Sequence, residues 1–312
     1  SYTLSINEIK DQFEQLLDPD TKAEFTVVNP FRALSAELIT GRILAIEFTE
    51  SPDVATWSTE AIKIINHNGS LAEVPDFEII RPEEWPALDI YPESKEEHLS
   101  DKMLLLRLDS QLQDGEYRLS IDGRGESSAG WPLAEVALLD LESENPFYVT
   151  DVTAPNGREL VITFTLPVQA AQVEDIWIDG VGEPEAIQAD PVELDRVHLQ
   201  LSEPLEVGSH FITLNHIRSR SDWGIATDTG IEFTHFDTFE PGDLVISEFF
   251  YRTPVSWRTD EVDRPQYVEI YNRSGKLLNL RDFTINGEPI RTDAVLPIES
   301  EGYLVAARGA SI

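Results

Sequence analysis

The chain repeats itself. Leu44-Ala45-Ile46-Glu47-Phe48-Thr49 matches Leu160-Val161-Ile162-Thr163-Phe164-Thr165, 116 residues on. Leu106-Arg107-Leu108, with Leu112 and Gly115, matches Leu199-Gln200-Leu201, with Leu205 and Gly208, 93 residues on. Each copy continues through an aromatic strand and a turn holding Trp131 or Trp223 into a last strand. The runs are short, alternate apolar with polar, and are separated by Gly, Pro, Asn and Asp. No long helical pattern fills the gaps, so parallel βαβ units are excluded and antiparallel sandwiches are expected.

The two offsets differ by 23 residues, so the first copy carries an insertion. The stretch 75–101 is placed there, with Pro75, Pro82, Pro86, Pro92 and an acidic cluster. A helix is expected only at the N-terminus. Ser5-Ile6-Asn7-Glu8 reads as a capping box, and Ile6, Ile9, Phe13, Leu16 and Leu17 keep helical spacing. The predicted division is 1–24 helical segment, 25–145 first sandwich, 146–240 second sandwich and 241–312 a third β module.

Charge narrows the partners. Among 312 residues, 58 acidic against 23 basic give a formal charge of -35. Phosphate recognition needs clustered Lys and Arg, so nucleic acid and anionic membrane surfaces are excluded. The few lysines fit a salt-adapted surface, and an acidic extracellular surface fits equally. There is no cysteine, hence no disulfide, zinc-thiolate site or cysteine nucleophile. No apolar run approaches the roughly 20 residues of a membrane span. The chain begins at Ser1, and a processed product or excised segment is expected.

The ordered features of the repeats resemble the bacterial Ig-like domains that occur in series on secreted and surface proteins. The second copy carries the resemblance best, through Phe164, Pro167, Leu199, Leu201, Pro204, Leu205, Gly208 and Phe211. The first copy has Gln111 where Pro204 stands. After residue 241 come Ile246-Ser247-Glu248, Val268-Glu269-Ile270-Tyr271-Asn272, Leu280-Arg281-Asp282-Phe283-Thr284-Ile285 and Gly302-Tyr303-Leu304-Val305. This order is similar to the lamin-tail domain. The resemblance implies an Ig-like sandwich that would need strands beyond Val305, and so an open sheet edge available for self-association.

No nucleophile–histidine–acid arrangement, phosphate loop or His-Glu-x-x-His segment stands out. Four histidines, His198, His210, His216 and His235, fall in the second copy at spacings that match no metal motif. Calcium, which takes six to eight oxygens, is the ion that the acidic junction at Asp237, Glu240 and Asp243 suits. Trp85 and Trp257 lie in the least regular loops and are the candidate ligand-binding aromatics. Glu248 and Glu269 interrupt apolar strands and are expected to be structural carboxylates, capping amides or pairing with Arg281. The expectation is an all-β, non-enzymatic structural, adhesive or scaffold segment, extracellular or at the cell surface, with a protein or glycan partner. The alternative is a set of non-catalytic accessory modules of a larger secreted hydrolase or nuclease.

Overall fold

The computed structural model describes residues 2–5, 22–25, 29–66, 74–88, 90, 98–122, 124–226, 229–250, 266–290 and 295–307. The helix expected over 6–17 lies outside them, as does Trp257. The chain is all-β and antiparallel. Two compact units are present, one of residues 1–146 with 220–224, the other of 147–219 with 225–312.

In the first unit, β1 (Tyr2–Ser5) pairs with β2 (Lys22–Phe25). Seven strands then build a sandwich: β3 (Ala33–Thr40), β4 (Ile43–Phe48), β5 (Ile62–Asn66), β6 (Phe77–Ile80), β7 (Met103–Leu108), β8 (Gly115–Ile121) and β9 (Ala137–Ser143). One sheet runs β3-β4-β7-β6 and the other β5-β8-β9. This is the strand order of the ABED and CFG sheets in a constant-type immunoglobulin sandwich. Alternation explains the core: Leu44, Ile46 and Phe48 face Leu104 and Leu106 of the same sheet and Ile62, Ile64, Leu119 and Ile121 of the other, all buried.

The four-stranded sheet is buried on its second face too. Ile43, Ala45, Leu105 and Ile80 form a separate cluster with Ile39 and Ile90, and Trp85, Leu88, Leu99 and Met103 pack onto it. The four-residue apolar runs that open β4 and β7, 43–46 and 103–106, are what burial on both faces requires. The expected insertion supplies the cover. Part of 75–101 is itself strand β6, and most of the extra length lies between Ile80 and Met103, including the 3-10 turn Pro82–Ala87.

The second unit repeats the plan. Its strands are β10 (Val149–Asn156), β11 (Glu159–Phe164), β12 (Val168–Ala170), β13 (Ile176–Ile178), β14 (Ala186–Ala189), β15 (Arg196–Gln200), β16 (Gly208–Leu214), β17 (Arg218–Ser219) and β18 (Thr229–His235). The main sheets run β10-β11-β15-β14 and β13-β16-β18, with β12-β17 as a small ribbon. Strand order therefore matches the first sandwich position by position.

A shared anchor deepens the match. Phe31 stacks on Phe48 with ring centroids 5.1 Å apart, and Phe147 stacks on Phe164 at 5.1 Å. Each first ring ends an Asn-Pro-Phe segment, 29–31 and 145–147. Asn29 Nδ2 donates to the Pro132 carbonyl at 2.6 Å, and Asn145 Nδ2 donates to the Gly224 carbonyl at 2.8 Å. Those carbonyls follow Trp131 and Trp223, so both tryptophan turns are pinned alike.

The rest of the second unit is smaller: β19 (Leu244–Phe250), β20 (Tyr267–Asn272), β21 (Leu278–Asn279), β22 (Thr284–Ile285), β23 (Glu288–Pro289), β24 (Pro297–Ile298) and β25 (Tyr303–Ala307). The sheet β19-β20-β25 packs with the pair β21-β24 around buried Leu278, Leu280 and Ile298. Fully buried Asn272 organises the turns. Its Nδ2 reaches the carbonyls of Lys276, Ile298 and Glu299, and its Oδ1 accepts from Ser274. A buried amide with its bonds made fixes a conformation that an unpaired one would destabilise.

Candidate functional site

The acidic junction closes around an ammonium group. Lys276 Nζ lies 2.9 Å from Glu240 Oε2 and 2.9 Å from Asp243 Oδ2, and it also donates to the Thr238 carbonyl at 3.2 Å. The Lys276 hydrogen bond, with the Glu240 amide, holds the Asp243 carboxyl below its ordinary value; Asp243 and Glu240 in turn push the lysine up. Asp237 stands apart, accepting from the Leu277 amide at 2.9 Å. Two of the three carboxylates assigned to calcium thus share one lysine. Among the described residues no group of three or more metal-ligating side chains is gathered.

Glu248 and Glu269 are directly opposite one another across β19 and β20, beside a register shift. Glu248 Oε1 accepts from the Tyr267 hydroxyl at 2.7 Å, which raises the tyrosine above its ordinary value. Glu269 Oε1 accepts from Ser247 Oγ at 2.7 Å. Neither takes Arg281, which reaches Asp151 of the second sandwich at 2.8 Å. Ile246 and Phe249 on the same strand are 66% and 67% exposed.

Trp85 is half-buried over the outer cluster of the first sandwich, and its Nε1 is buried without a hydrogen-bond partner. Trp57 and Trp223 are core residues. Among the described residues, the tryptophan presented to solvent is Trp177, 54% exposed. It carries no loop signal, because it sits inside a regular strand. The signal that finds it is register. Trp177 alternates with buried Ile176 and Ile178, so it must point outward.

The four histidines of the second copy do not gather at one point, although two of them share a carbonyl. His210 and His235 each contact the Glu206 carbonyl, at 2.8 and 3.0 Å, and His216 lies 3.6 Å from Asp175. His198 is held between Asp190 Oδ2 at 3.0 Å and Glu159 Oε1 at 3.5 Å. Asp190 also accepts from the amides of Glu193 and Val192. These bonds, with His198, lower its pKa to about 2. His198 and Glu159 line a shallow groove of ≈ 300 Å³ on the outer face of the four-stranded sheet. In the first sandwich the same face is apolar and covered: Leu105 stands where His198 does.

The outer faces of the three-stranded sheets differ in the opposite sense. In the second sandwich Trp177 lies opposite Thr213, and Thr213 opposite Gly230; Phe211, 50% exposed, lies opposite Glu232. In the first, Lys63 and Ser120 take the positions of Trp177 and Thr213, and an Arg118–Asp140 ion pair at 2.9 Å takes those of Phe211 and Glu232. The second copy can therefore offer planar aromatic rings where the first offers charges.

No protein-family model and no curated protein matches the chain. The bacterial S-layer protein SbsC, N-terminal part, is similar in structure with a TM-score of 0.31 and 11% identity over 65% of this chain and 43% of that one. The Escherichia coli adhesin FdeC gives 0.19 and 9% over 91% and 96%. The Bacteroides ovatus glucan-locus protein SGBP-B gives 0.21 and 10% over 87% and 64%. The chain spans about half the length of the S-layer structures it matches.

Proposed function

We propose that the chain is a non-enzymatic structural and adhesive segment of a secreted or surface-displayed bacterial protein. It is read as two Ig-like modules, 25–145 and 146–240, preceded by the segment 1–24 and followed by a lamin-tail-like module, 241–312. The observation that supports this is the duplicated sandwich. Strand order, the stacked phenylalanine pair and the Asn-Pro-Phe anchor recur, while the residues facing outward do not. A scaffold repeated with its interior intact and its surface varied suits spacing and contact. Ionisable groups that meet, such as Lys276 with Asp243 and Arg281 with Asp151, are spent on holding turns and modules together.

Single-molecule pulling tests this reading. Sandwiches of roughly 115 and 90 residues, extended at about 3.6 Å per residue, release about 40 and 30 nm. Two such cooperative steps are expected. Featureless extension at low force would remove the structural role.

A further inference from the structure

We propose that the outward face of the β13-β16-β18 sheet is a carbohydrate-binding platform, on which Trp177 and Phe211 stack against the rings of an uncharged polysaccharide. The inference deepens the adhesive reading above and rests on it.

The register puts both rings on one face. Trp177 pairs with Thr213, and Phe211 is two residues from Thr213 on the same strand. Diagonal neighbours of this kind stand about 7–8 Å apart, within the span of two linked sugars. The surface around them is kept low. Gly230, opposite Thr213, carries no side chain, and even a Cβ there would meet nothing within 4 Å. Gly182, at φ +93°, lies along the Trp177 ring, where a Cβ would come 3.7 Å from it. The turn therefore passes beside the indole without a side chain, and the ring stays 54% exposed.

Folding does not call for these rings. The first sandwich has the same strand order and puts Lys63 and the Arg118–Asp140 pair at the equivalent positions. The equivalent face of the first sandwich exposes one aliphatic side chain, Leu138, and no aromatic ring, so two exposed aromatics side by side call for an outward task.

The chemistry of the face selects the ligand. Aromatic faces carry negative π density and meet the slightly positive C–H faces of pyranose rings. The Glu232 carboxylate, opposite Phe211, is an acceptor for sugar hydroxyls. Nucleic-acid bases would stack as well, but their phosphates need Lys or Arg, and this chain has a formal charge of -35. An acidic polysaccharide is disfavoured for the same reason, which leaves an uncharged one.

The test uses the whole chain. Protein is mixed with insoluble cellulose, chitin, xylan and cross-linked α-glucan, and the fraction left in solution is measured at low and at 1 M salt. Retention by at least one polymer is expected, little changed by salt. Trp177→Ala and Phe211→Ala should each weaken it about tenfold, and the pair should abolish it. Both side chains lie outside the core, so melting temperature should hold and separates lost binding from lost folding. Retention by none of these polymers, equal retention of the double variant, or retention that is seen at low salt and lost at 1 M salt would overturn the platform. If two unfolding steps persist under force while no polysaccharide binds, the platform alone falls and the structural reading stands.

Discussion

A methyl group added at Gly125 should damage the first sandwich more than any surface change of that size. Gly125 has no left-handed backbone, so alanine is acceptable to the chain itself. Its Cβ, however, would sit inside the van der Waals envelope of the Trp57 indole. Ordinary carbon–carbon separation is about 3.5–4.0 Å, so the ring must retreat by about an ångström. It has nowhere to go. Trp57 is 7% exposed, with Phe48 at 5.2 Å and Phe31 at 6.3 Å between centroids, and those two rings stack on each other. Overpacking of this kind costs about 1–3 kcal/mol. For a sandwich of roughly 115 residues, an unfolding entropy of about 2.1 cal/mol/K per residue turns that into a fall of about 4–12 °C. Calorimetry of wild type and Gly125→Ala measures it, with the loss confined to the transition of the first sandwich. The cause is tested by a double-mutant cycle with Trp57→Leu. Trp57→Leu is costly alone through the lost ring, but it empties the space that the methyl needs. Gly125→Ala should then add little. If the two losses simply add, or if Gly125→Ala melts like wild type, the steric reasoning is wrong.

Two further outcomes follow from the polar groups. Lys276→Ala leaves Asp243, Glu240 and the Thr238 carbonyl facing an emptied cation position, so millimolar calcium should raise the variant's melting temperature more than the wild type's; equal shifts would refute the idea that the ammonium stands in for an ion. The same pair sets a pH window. Asp243 is depressed, so its contribution is present above the ordinary carboxylate pKa and fades as pH falls through the lowered one; Lys276 is raised, so its contribution is present below the ordinary lysine pKa and fades as pH rises through the raised one. The stability difference between wild type and Lys276→Ala should therefore be flat from about pH 5 to 9 and shrink outside it. Trp85→Phe removes an indole N–H that is buried without a partner, so stability should stay within about 1 kcal/mol of wild type or rise; a loss of about 3 kcal/mol in chemical denaturation would mean that the N–H is bonded after all.

Much of the fold could be read from the residues because sandwich strands advertise themselves. Leu44, Ile46 and Phe48 alternate with Ala45 and Glu47, and Leu160, Ile162 and Phe164 repeat the pattern, so the period of two was visible in both copies. The Asn-Pro-Phe anchor is less visible, although the 116-residue offset that relates Phe48 to Phe164 also relates Phe31 to Phe147. It lies in loop, where no periodicity draws the eye. Strand β6 was hidden among prolines and acids, because Phe77–Ile80 is too short to show a period. The junction carboxylates drew attention as ion ligands since acids are plentiful here. Only coordinates bring Lys276, more than thirty residues away in sequence, between Glu240 and Asp243.

The two sandwiches act as each other's control. Their interiors agree side chain by side chain at Phe31 and Phe147, Phe48 and Phe164, Leu44 and Leu160, so neither copy is free to vary there without opening a cavity in a packed core. The outer faces carry no such constraint, and there the copies part. The first buries its four-stranded face beneath its own insertion and sets Lys63 and the Arg118–Asp140 pair, beside an exposed Leu138, on the other. The second leaves its four-stranded face polar, with His198 between two carboxylates, and sets two aromatic rings on the other. Packing accounts for what is shared. What differs must be explained by solvent or by a partner, and solvent gives no reason to prefer Trp177 and Phe211 over Lys63 and Arg118. The second sandwich is therefore where contact with another molecule should be sought, and the first serves as the matched scaffold from which binding should be absent.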